Sequence, residues 1–294
     1  MFSDLKHRLR RRVLGRRFQQ KLIEGQRILG RLGNARYLAN QPQLIAQDFE
    51  PPFNTYEFSC YSQNGEDGLI LHLLSCVDVQ NHLIVEIGTE DGRECNSANL
   101  ILNYGWHGWL VEADQHWAES GRDYFKKCHA DNRVNIINAR AEPESINKLL
   151  SDEGVPGEID VLSIDIDSHD YWLWKAMDSV NPRIVVIEYN ASFGPDRSVT
   201  VPYPQTKPEQ DNNLYHGASL TALQRLGKHK GYILTGCDSR GINSFFVRRD
   251  LAENTGLKPV TPSHAFRSHF WRTLKMSQEE QYRAVADLPL EEVD

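Results

Sequence analysis

The segment LIVEIGTEDGRECNSANLI, residues Leu83–Ile101, decides how the chain is expected to fold. It begins with an apolar run, turns through Gly88 and Gly92, and continues with a helix-like pattern, an order that opens many nucleotide-binding sheets. The spacing Glu86-x-Gly88-x-x-x-Gly92 differs from the G-x-G-x-x-G of dinucleotide sites. The turn carries four acidic residues: Glu86, Glu90, Asp91 and Glu94. Like charges about 4 Å apart repel by roughly 4 kcal/mol near a protein surface, so the turn predicts a cationic ligand rather than a phosphate.

Strand candidates alternate with segments of helix length along the chain. The seven candidates are LIVEIG (83–88), GWLVEAD (108–114), RVNIINA (133–139), IDVLSIDID (159–167), PRIVVIEYN (182–190), GYILTG (231–236) and INSFFVRR (242–249). Helical segments between the first five predict a mostly parallel sheet covered on both faces. Only CDSRG separates the last two, which predicts an antiparallel hairpin. This order indicates an α/β, Rossmann-like class I methyltransferase fold, with a seven-stranded, mostly parallel sheet and an antiparallel last strand.

Charge divides the chain into unlike parts. Residues 1–36 contain eleven Lys/Arg and two acidic residues, a balance of +9, whereas the remaining 22 basic and 38 acidic residues give −16. We expect a basic helical N-terminal extension and linker over 1–52, a methyltransferase domain over 53–250 and a helical C-terminal tail over 251–294. The sequence has no run of roughly 18–20 apolar residues, and its five cysteines are scattered, so we expect a cytoplasmic protein.

The basic extension predicts a partner of its own. A basic amphipathic segment either binds an anionic membrane surface, which would place the protein peripherally at the inner face of the membrane, or packs against a second subunit in a homo-oligomer. Both alternatives stay open from the sequence. Nucleic acid is not expected as a partner, because the body is acidic and shows no basic–aromatic stripe.

Several motifs resemble those of FkbM-type and related S-adenosylmethionine-dependent methyltransferases. They are YSQNGEDGLI (61–70), VEIGTEDGRECNSANLILNYGWHGWLVEAD (85–114), DVLSIDIDSHDYWLWKAM (160–177), IVVIEYN (184–190) and GASLTALQRLGKHKGYILTGCDSRGINSFFVRR (217–249). The resemblance implies S-adenosylmethionine as the cofactor and a carbohydrate or lipid-linked glycan as the acceptor. The implied cofactor residues are Glu86, Gly88 and Gly92 around the methionine part, Glu112 on the ribose hydroxyls, Ala139 and Arg140 on adenine, and Asp165 closing the site.

Polar side chains follow the fourth and fifth strand candidates. Because adjacent parallel strands are about 4.8 Å apart, these side chains are expected to converge. Hard oxygen ligands suit a divalent cation such as Mg²⁺. The predicted metal ligands are Asp165, Asp167, Glu188 and Asn190, and the predicted catalytic residues are His169, as general base toward a sugar hydroxyl, and Asp167. The alternative is that Asp165 and Asp167 cap the next helix and His169 is hydrogen-bonded locally.

The remaining candidates lie in loops. Tyr61 and Gln63 precede a predicted helix and are either capping residues or part of a cofactor lid. The 191–217 segment is long for a connection and predicts a functional loop, whose Phe193, Tyr203 and Tyr215 we expect to cover a sugar face. His216, in the same loop, is expected to be solvated.

Two other functions remain as alternatives to an O-methyltransferase. The first is a haloacid-dehalogenase-like phosphatase with Asp165 as nucleophile, although that fold places its D-x-D on the first strand. The second is a catalytically inactive methyltransferase fold that serves as a binding module.

Overall fold

The structure, a computed structural model, describes residues 53–204, 214–253 and 255–294. The predicted basic extension, residues 1–52, lies outside these ranges. The strands are β1 Leu83–Ile87, β2 His107–Glu112, β3 Val134–Asn138, β4 Glu158–Ile164, β5 Asn181–Glu188, β6 Val199–Thr200, β7 Tyr232–Cys237, β8 Asn243–Arg248 and β9 Glu291–Glu292.

Seven of these strands form one sheet in the order β3-β2-β1-β4-β5-β8-β7. Strands β1 to β5 pair in parallel, and β8 is antiparallel to both β5 and β7. All seven strand candidates and the antiparallel hairpin are confirmed. The chain has a Rossmann-like class I methyltransferase fold. The strand order reverses between β1 and β4, and ligands of open α/β sheets bind at that switch point, outside the carboxyl ends of the strands.

Helices cover both faces of the sheet. They are α1 Glu66–Cys76, α2 Ala98–Tyr104, α3 Gln115–Lys127, α4 Ile146–Asp152, α5 Asp170–Ala176, α6 Leu220–His229, α7 Arg249–Ala252, α8 Pro262–Ala265, α9 Phe270–Thr273 and α10 Gln278–Arg283. One face packs α1, α2 and α3 around a core that includes Ile84, and the other packs α4, α5 and α6 around one that includes Val85. Burial on both faces explains why the strands read as continuous apolar runs rather than as alternating ones.

The end of the chain returns to the carboxyl edge of the sheet. Strand β9 pairs with β6 in a two-stranded antiparallel ribbon, and Val285 packs in a small core with Phe193 and Tyr215. Residues 266–283 therefore lie over the ends of the strands, next to the loop that follows β5. Within the described ranges, no helix combines the length and apolar character needed to cross a membrane.

Candidate functional site

The turn after β1 is built around Gly88. Gly88 has a φ of +88°, and a Cβ at this position would lie 1.7 Å from the carbonyl oxygen of Asp165. Its N–H donates to the carbonyl of Val111 at 2.9 Å, and the N–H of Asp165 donates to the carbonyl of Ile87 at 2.9 Å. These contacts lock the ends of β1, β2 and β4 together, and only glycine fits at their meeting point.

Glu86 holds the far end of this turn from inside the protein. It is 3% exposed, and its two oxygens accept the N–H groups of Asn96 at 2.9 Å and Ser97 at 2.8 Å, just before α2. Burial raises the pKa of Glu86, while the hydrogen bonds from Ser97 and Asn96 oppose that rise. The structure thus places Glu86 where it shapes the loop, with both carboxylate oxygens already engaged by the protein.

Glu112 organises the other side of the turn. Its Oε2 accepts the N–H of Glu90 at 2.8 Å, and its Oε1 accepts the N–H of Asp114 at 2.7 Å. Burial raises the pKa of Glu112, and the two backbone hydrogen bonds lower it. Each oxygen has a second lone pair, which is what a bidentate contact to two ribose hydroxyls requires. Gly92 closes the turn against the ring of Phe125, which a Cβ would approach to 2.6 Å.

The predicted adenine segment lies beside Glu112. The N–H of Ala139 donates to the carbonyl of Glu112 at 3.0 Å. Arg140 is exposed and forms an ion pair with Glu142. The two predicted adenine residues are therefore adjacent to Glu112, the residue predicted to contact the ribose, and the Arg140 side chain is directed to Glu142.

The segment before α1 contains Tyr61 and Gln63. Tyr61 is buried, and the N–H groups of Cys60, Tyr61 and Ser62 all donate to Oδ2 of Asp67 at 2.7–3.0 Å. Gln63 is exposed. The sequence left two roles open for this segment, helix capping or a cofactor lid. A carboxylate of α1 holds the backbone of Tyr61 in place, which favours a role in the structure of the helix start.

Three side chains converge at the carboxyl ends of β4 and β5. Ligand-type atoms of Asp167, Glu188 and His216 all lie within 4.8 Å of one another, and we call this group the Glu188 cluster. The side chains of Glu188 and His216 are 11% and 9% exposed, whereas Asp167 is exposed. His216 is brought there by the loop before α6, where the N–H of Gly217 donates to the carbonyl of Ser168 at 2.7 Å.

A cation from the C-terminal tail lies against this cluster. Arg272, on α9, donates from Nη2 to Nε2 of His216 at 2.9 Å, and from Nη1 to Oδ1 of Asn190 at 3.0 Å and Oγ of Ser192 at 3.2 Å. Burial lowers the pKa of Arg272, and the negative charges of Glu188 and Asp167 act in the opposite direction. Arg272 therefore supplies positive charge where the sequence predicted a metal ion.

The contact with Arg272 fixes the form of His216. A guanidinium group only donates hydrogen bonds, so Nε2 of His216 must accept and the proton of the neutral ring lies on Nδ1. Burial, followed by the charge of Arg272, lowers the pKa of His216 to about 3, which keeps the ring neutral. Nδ1 faces Oε2 of Glu188 at 3.8 Å and has no hydrogen-bond partner among the described residues.

The predicted set of polar residues is only partly assembled. Asn190 stands outside the cluster, because its amide donates to the carbonyls of Leu214 and His216 and its Oδ1 accepts from Ser192 and Arg272. This side chain has no oxygen lone pair left for a metal. The predicted Asn190 ligand is replaced in the cluster by His216.

His169 also stands outside the cluster. Its Nε2 lies 3.1 Å from the carbonyl of Ala141 and 3.3 Å from Glu142, and its Nδ1 lies 2.8 Å from Oγ of Ser168. Because a carbonyl only accepts, Nε2 carries a proton, and the hydroxyl of Ser168 lies between Nδ1 and the carbonyl of Ile166, which it reaches at 3.1 Å. His169 is thus hydrogen-bonded locally, apart from the Glu188 cluster, and its role as general base stays a prediction.

The N-cap position of α5 is held by His169, which makes no side-chain capping hydrogen bond, so neither Asp165 nor Asp167 is the N-cap residue. Asp170 accepts the N–H groups of Ile166 at 2.9 Å and Ser168 at 3.2 Å, at the start of α5. Asp167 has a φ of +56°, which turns this loop at the point where its carboxylate joins the cluster. The acid-rich motif thus divides into Asp170, which holds the loop before α5, and Asp167, which joins the cluster.

The carboxyl groups at this edge favour their protonated form. Burial, followed by the charges of Asp167 and Asp170, raises the pKa of Asp165 well above its usual value. Burial, followed by the charges of Asp165 and Asp167, raises the pKa of Glu188 in the same way, and the charge of Arg272 opposes it. Both groups therefore hold a proton more readily than an ordinary carboxyl group does.

The aromatic residues of the 191–217 loop do not line this site as predicted. Phe193 is fully buried, and Tyr215 is 4% exposed with its hydroxyl donating to the carbonyl of Pro289. Tyr203 donates to Glu142 at 2.9 Å and to Glu144 at 2.8 Å. The first two pack against the tail, because β9 and α10 return to this edge of the sheet.

Two residues of the site are not predicted from the sequence: Arg272 is not among the candidate residues, and the expectation that His216 is solvated is wrong, because His216 is 7% exposed. His216 lies in a loop without periodicity, and Arg272 lies in a tail outside the region of family resemblance. A signal was present for Arg272, because it stands in a stretch, residues 255–278, that has no acidic residue in an otherwise acidic body. For His216 the sequence offers no comparable signal.

Comparison with known proteins adds structural neighbours only. No family model matches the chain, and no curated protein matches it. Its structure is similar to cofactor-bound Rv0187 from MTB, with 16% identity, a TM-score of 0.41 and coverage of 74% of this chain and 89% of that one. It is similar to an O-methyltransferase from Bacillus cereus in complex with SAH, with 16% identity, a TM-score of 0.41 and coverage of 75% and 88%. It is also similar to the O-methyltransferase TomG from Streptomyces achromogenes in complex with SAM, with 18% identity, a TM-score of 0.39 and coverage of 71% and 93%. Because these identities and TM-scores are low, the neighbours assign neither a substrate nor a mechanism to this chain. The fold assignment rests on the strand order.

Proposed function

We propose that the protein is an S-adenosylmethionine-dependent O-methyltransferase that acts on a sugar hydroxyl of a glycan or glycolipid. The strongest support for this proposal is the contact between the acidic turn after β1 and the loop that leads to the Glu188 cluster. The backbone of Asp165, which leads into the Glu188 cluster, lies directly against Gly88 of the acidic turn. A cofactor bound on the turn would therefore lie next to a group of proton-accepting carboxylates.

The turn fits S-adenosylmethionine by charge and by shape. The cofactor carries a sulfonium and an ammonium but no phosphate, so the carboxylates around Gly88 favour it. Glu112 offers one lone pair on each oxygen to the ribose hydroxyls, and Ala139 lies beside it. When bound, the cofactor supplies an electrophilic methyl group on its sulfonium.

The Glu188 cluster fits removal of a proton from the acceptor. A sugar hydroxyl is too weakly acidic to react at neutral pH without help. We assign Glu188 as the general base, because burial and neighbouring carboxylates raise its pKa above that of an ordinary glutamate and it lies in the cluster with Asp167 beside it. The N–H at Nδ1 of His216 is buried, faces Glu188 and has no hydrogen-bond partner among the described residues.

The same residues fit a divalent cation in part. Asp167 and Glu188 offer the hard carboxylate oxygens that Mg²⁺, Ca²⁺ and Mn²⁺ prefer. His216 in its present form offers an N–H rather than a lone pair, because Arg272 occupies Nε2. The two carboxylates would therefore hold the ion, which when bound would lower the pKa of the acceptor hydroxyl.

The acceptor class rests on the resemblance to FkbM-type methyltransferases and on the polarity of the edge. Carboxylates, an imidazole and a guanidinium surround the proton-accepting group, and such a lining suits a polyhydroxylated molecule better than an apolar one. The phosphatase alternative is not supported, because Asp165 follows β4 rather than the first strand of the domain.

Calorimetry on the full chain tests the proposal. We expect S-adenosylmethionine to bind in the micromolar to submillimolar range, and Glu112→Ala to weaken binding by roughly 5–150-fold, which corresponds to about 1–3 kcal/mol. Glu119→Ala, on the exposed side of α3, is the matched control and should bind like the wild type.

Activity measurements divide the remaining alternatives. Methyl transfer from labelled S-adenosylmethionine to glycan acceptors, with and without EDTA, separates a cation-assisted reaction from one that uses the carboxylates alone. Absence of cofactor binding would overturn the methyltransferase assignment. Binding without transfer to any acceptor would instead favour the inactive binding module.

A further inference from the structure

The C-terminal tail contains a basic stretch without acidic residues. Residues 255–278 have no Asp or Glu, although the chain as a whole has a net charge of −7. Its four basic side chains are Lys258, Arg267, Arg272 and Lys275; the two lysines are exposed, whereas the two guanidinium groups donate to neighbouring groups of the protein. The exposed lysines and the absence of acidic residues make this stretch more positive than the rest of the body, which favours an anionic partner.

This stretch also bears the large exposed apolar side chains of the described residues. Trp271 is 49% exposed and Leu274 is 66% exposed, and they lie three positions apart on and just after α9. The centroid of the Phe270 ring lies 5.0 Å from that of the Trp271 ring, and the guanidinium carbon of Arg240 stacks over the Phe270 ring at 4.2 Å from its centroid. We call Arg240, Phe270, Trp271, Leu274 and Lys275 the Trp271 surface.

Hydrogen bonds to the body of the protein fix the position of the Trp271 surface. The N–H of Phe270 donates to the carbonyl of Arg240 at 2.8 Å, and the neighbouring Arg272 points inward to His216 and Asn190. Adjacent residues of one short helix thus face opposite ways, with Trp271 toward solvent and Arg272 toward the Glu188 cluster. The surface consequently has a fixed position beside the candidate site.

We propose that the Trp271 surface docks on a lipid bilayer rich in anionic headgroups. Tryptophan is enriched at membrane–water interfaces because one part of the ring system is apolar and its N–H is polar, and lysine or arginine beside it meets the headgroup phosphates. A stable protein partner would need about 800 Å² of contact on each side, far more than two exposed side chains supply. A bilayer needs only shallow insertion of such side chains together with positive charge around them.

The inference stands apart from the proposed methyl transfer, because docking is measured without cofactor or acceptor. It differs also from the prediction for residues 1–36, which lie outside the described ranges. If both hold, the tail surface determines which edge of the sheet faces the membrane, and that edge is the one with the Glu188 cluster.

Vesicle binding of the full chain tests the docking. Vesicles of phosphatidylcholine alone are compared with vesicles of phosphatidylcholine and phosphatidylglycerol at low salt. The double variant Trp271→Ser/Leu274→Ser should partition about tenfold less onto the anionic vesicles than the wild type. The conservative variant Trp271→Phe/Leu274→Ile should retain binding, because it keeps the apolar area.

Amide hydrogen exchange locates the contact on the wild-type chain and so does not depend on the variants folding. We expect anionic vesicles to slow exchange over residues 266–276, and vesicles containing brominated lipid to quench the wild type more than Trp271→Phe. Protection confined to residues 1–52, or equal quenching of the two proteins, would overturn the proposal.

Discussion

The two halves of the candidate site are built from different kinds of contact. In the cofactor half, Glu86 and Glu112 each accept two backbone N–H groups from residues within 22 positions along the chain. In the acceptor half, Arg272 reaches His216 and Asn190 from 56 and 82 positions away. The first half is local in sequence, whereas the second obtains its cation from the tail, which returns to the sheet.

This difference in construction is also a difference in chemistry. Backbone hydrogen bonds favour the charged form of Glu86 and Glu112 and oppose the effect of burial on their pKa values. Burial and neighbouring carboxylates act together to raise the pKa of Glu188, and the charge of Arg272 opposes them. Burial thus raises the pKa of all three carboxyl groups, but backbone hydrogen bonds counter it in the cofactor half, whereas neighbouring negative charges add to it in the acceptor half.

Replacing the proton-accepting group should have the largest effect. We expect Glu188→Gln to lower turnover roughly 10²–10⁴-fold, the usual contribution of a positioned base, while the affinity for S-adenosylmethionine stays near that of the wild type. Single-turnover methyl transfer and calorimetry measure the two quantities. The matched control is Glu119→Gln, an exposed glutamate on α3.

The pH dependence sharpens the same prediction. A base acts when deprotonated, and the pKa of Glu188 is raised, so wild-type turnover should fall as the pH is lowered through that raised value. The fall should begin at a higher pH than an ordinary glutamate would give. Unchanged turnover in Glu188→Gln would remove the proton-accepting role from this half of the site.

A glycine substitution should break the cofactor half. Gly88→Ala places a Cβ 1.7 Å from the carbonyl of Asp165 in a left-handed backbone conformation, so we expect the free energy of unfolding to fall by about 2–5 kcal/mol, with loss of cofactor binding. Gly105→Ala has a φ of +75° but meets no atom within 4 Å, and should lose only about 1–2 kcal/mol. Urea unfolding of both variants measures the difference, and equal losses would contradict the proposed close approach.

The local half is the part that the sequence predicts well. The seven strands follow from apolar runs, and the places of Gly88, Gly92 and Glu112 follow from the spacing of a strand, a turn and the next strand. Each of these features depends on residues close together in the chain. Periodicity and spacing report on such features directly.

The acceptor half could be predicted only to the level of the strand ends. Asp167 and Glu188 converge as expected, because the carboxyl ends of parallel strands lie together. His169 and Asn190 share those ends, but their hydrogen bonds to Ala141 and to Leu214 direct them away from the cluster. Side-chain direction and the return of the tail depend on tertiary packing, which no local pattern records.

Removing the tail-derived cation should give a smaller effect that depends on pH. At pH 8 we expect Arg272→Met to lower the free energy of unfolding by about 1–3 kcal/mol, because the carboxylates of Glu188 and Asp167 lose the positive charge beside them and His216 loses its donor. The exposed Arg249→Met on α7 is the control and should change stability by less than about 0.5 kcal/mol.

The sign of the pH dependence follows from two shifted groups. Arg272 lowers the pKa of Glu188, so the variant raises it further, and a group with a raised folded-state pKa loses its stabilising contribution as the pH rises. Arg272 also lowers the pKa of His216. In the wild type, the contribution of neutral His216 to the free energy of unfolding is fully present above pH 6.5 and is lost as the pH falls toward about 3. Both effects should make the deficit of Arg272→Met shrink between pH 8 and pH 5, as denaturant unfolding across that range would show. A deficit that grows on acidification would mean that Arg272 is not the counter-charge of the Glu188 cluster, and the contrast between the two halves would lose its electrostatic basis.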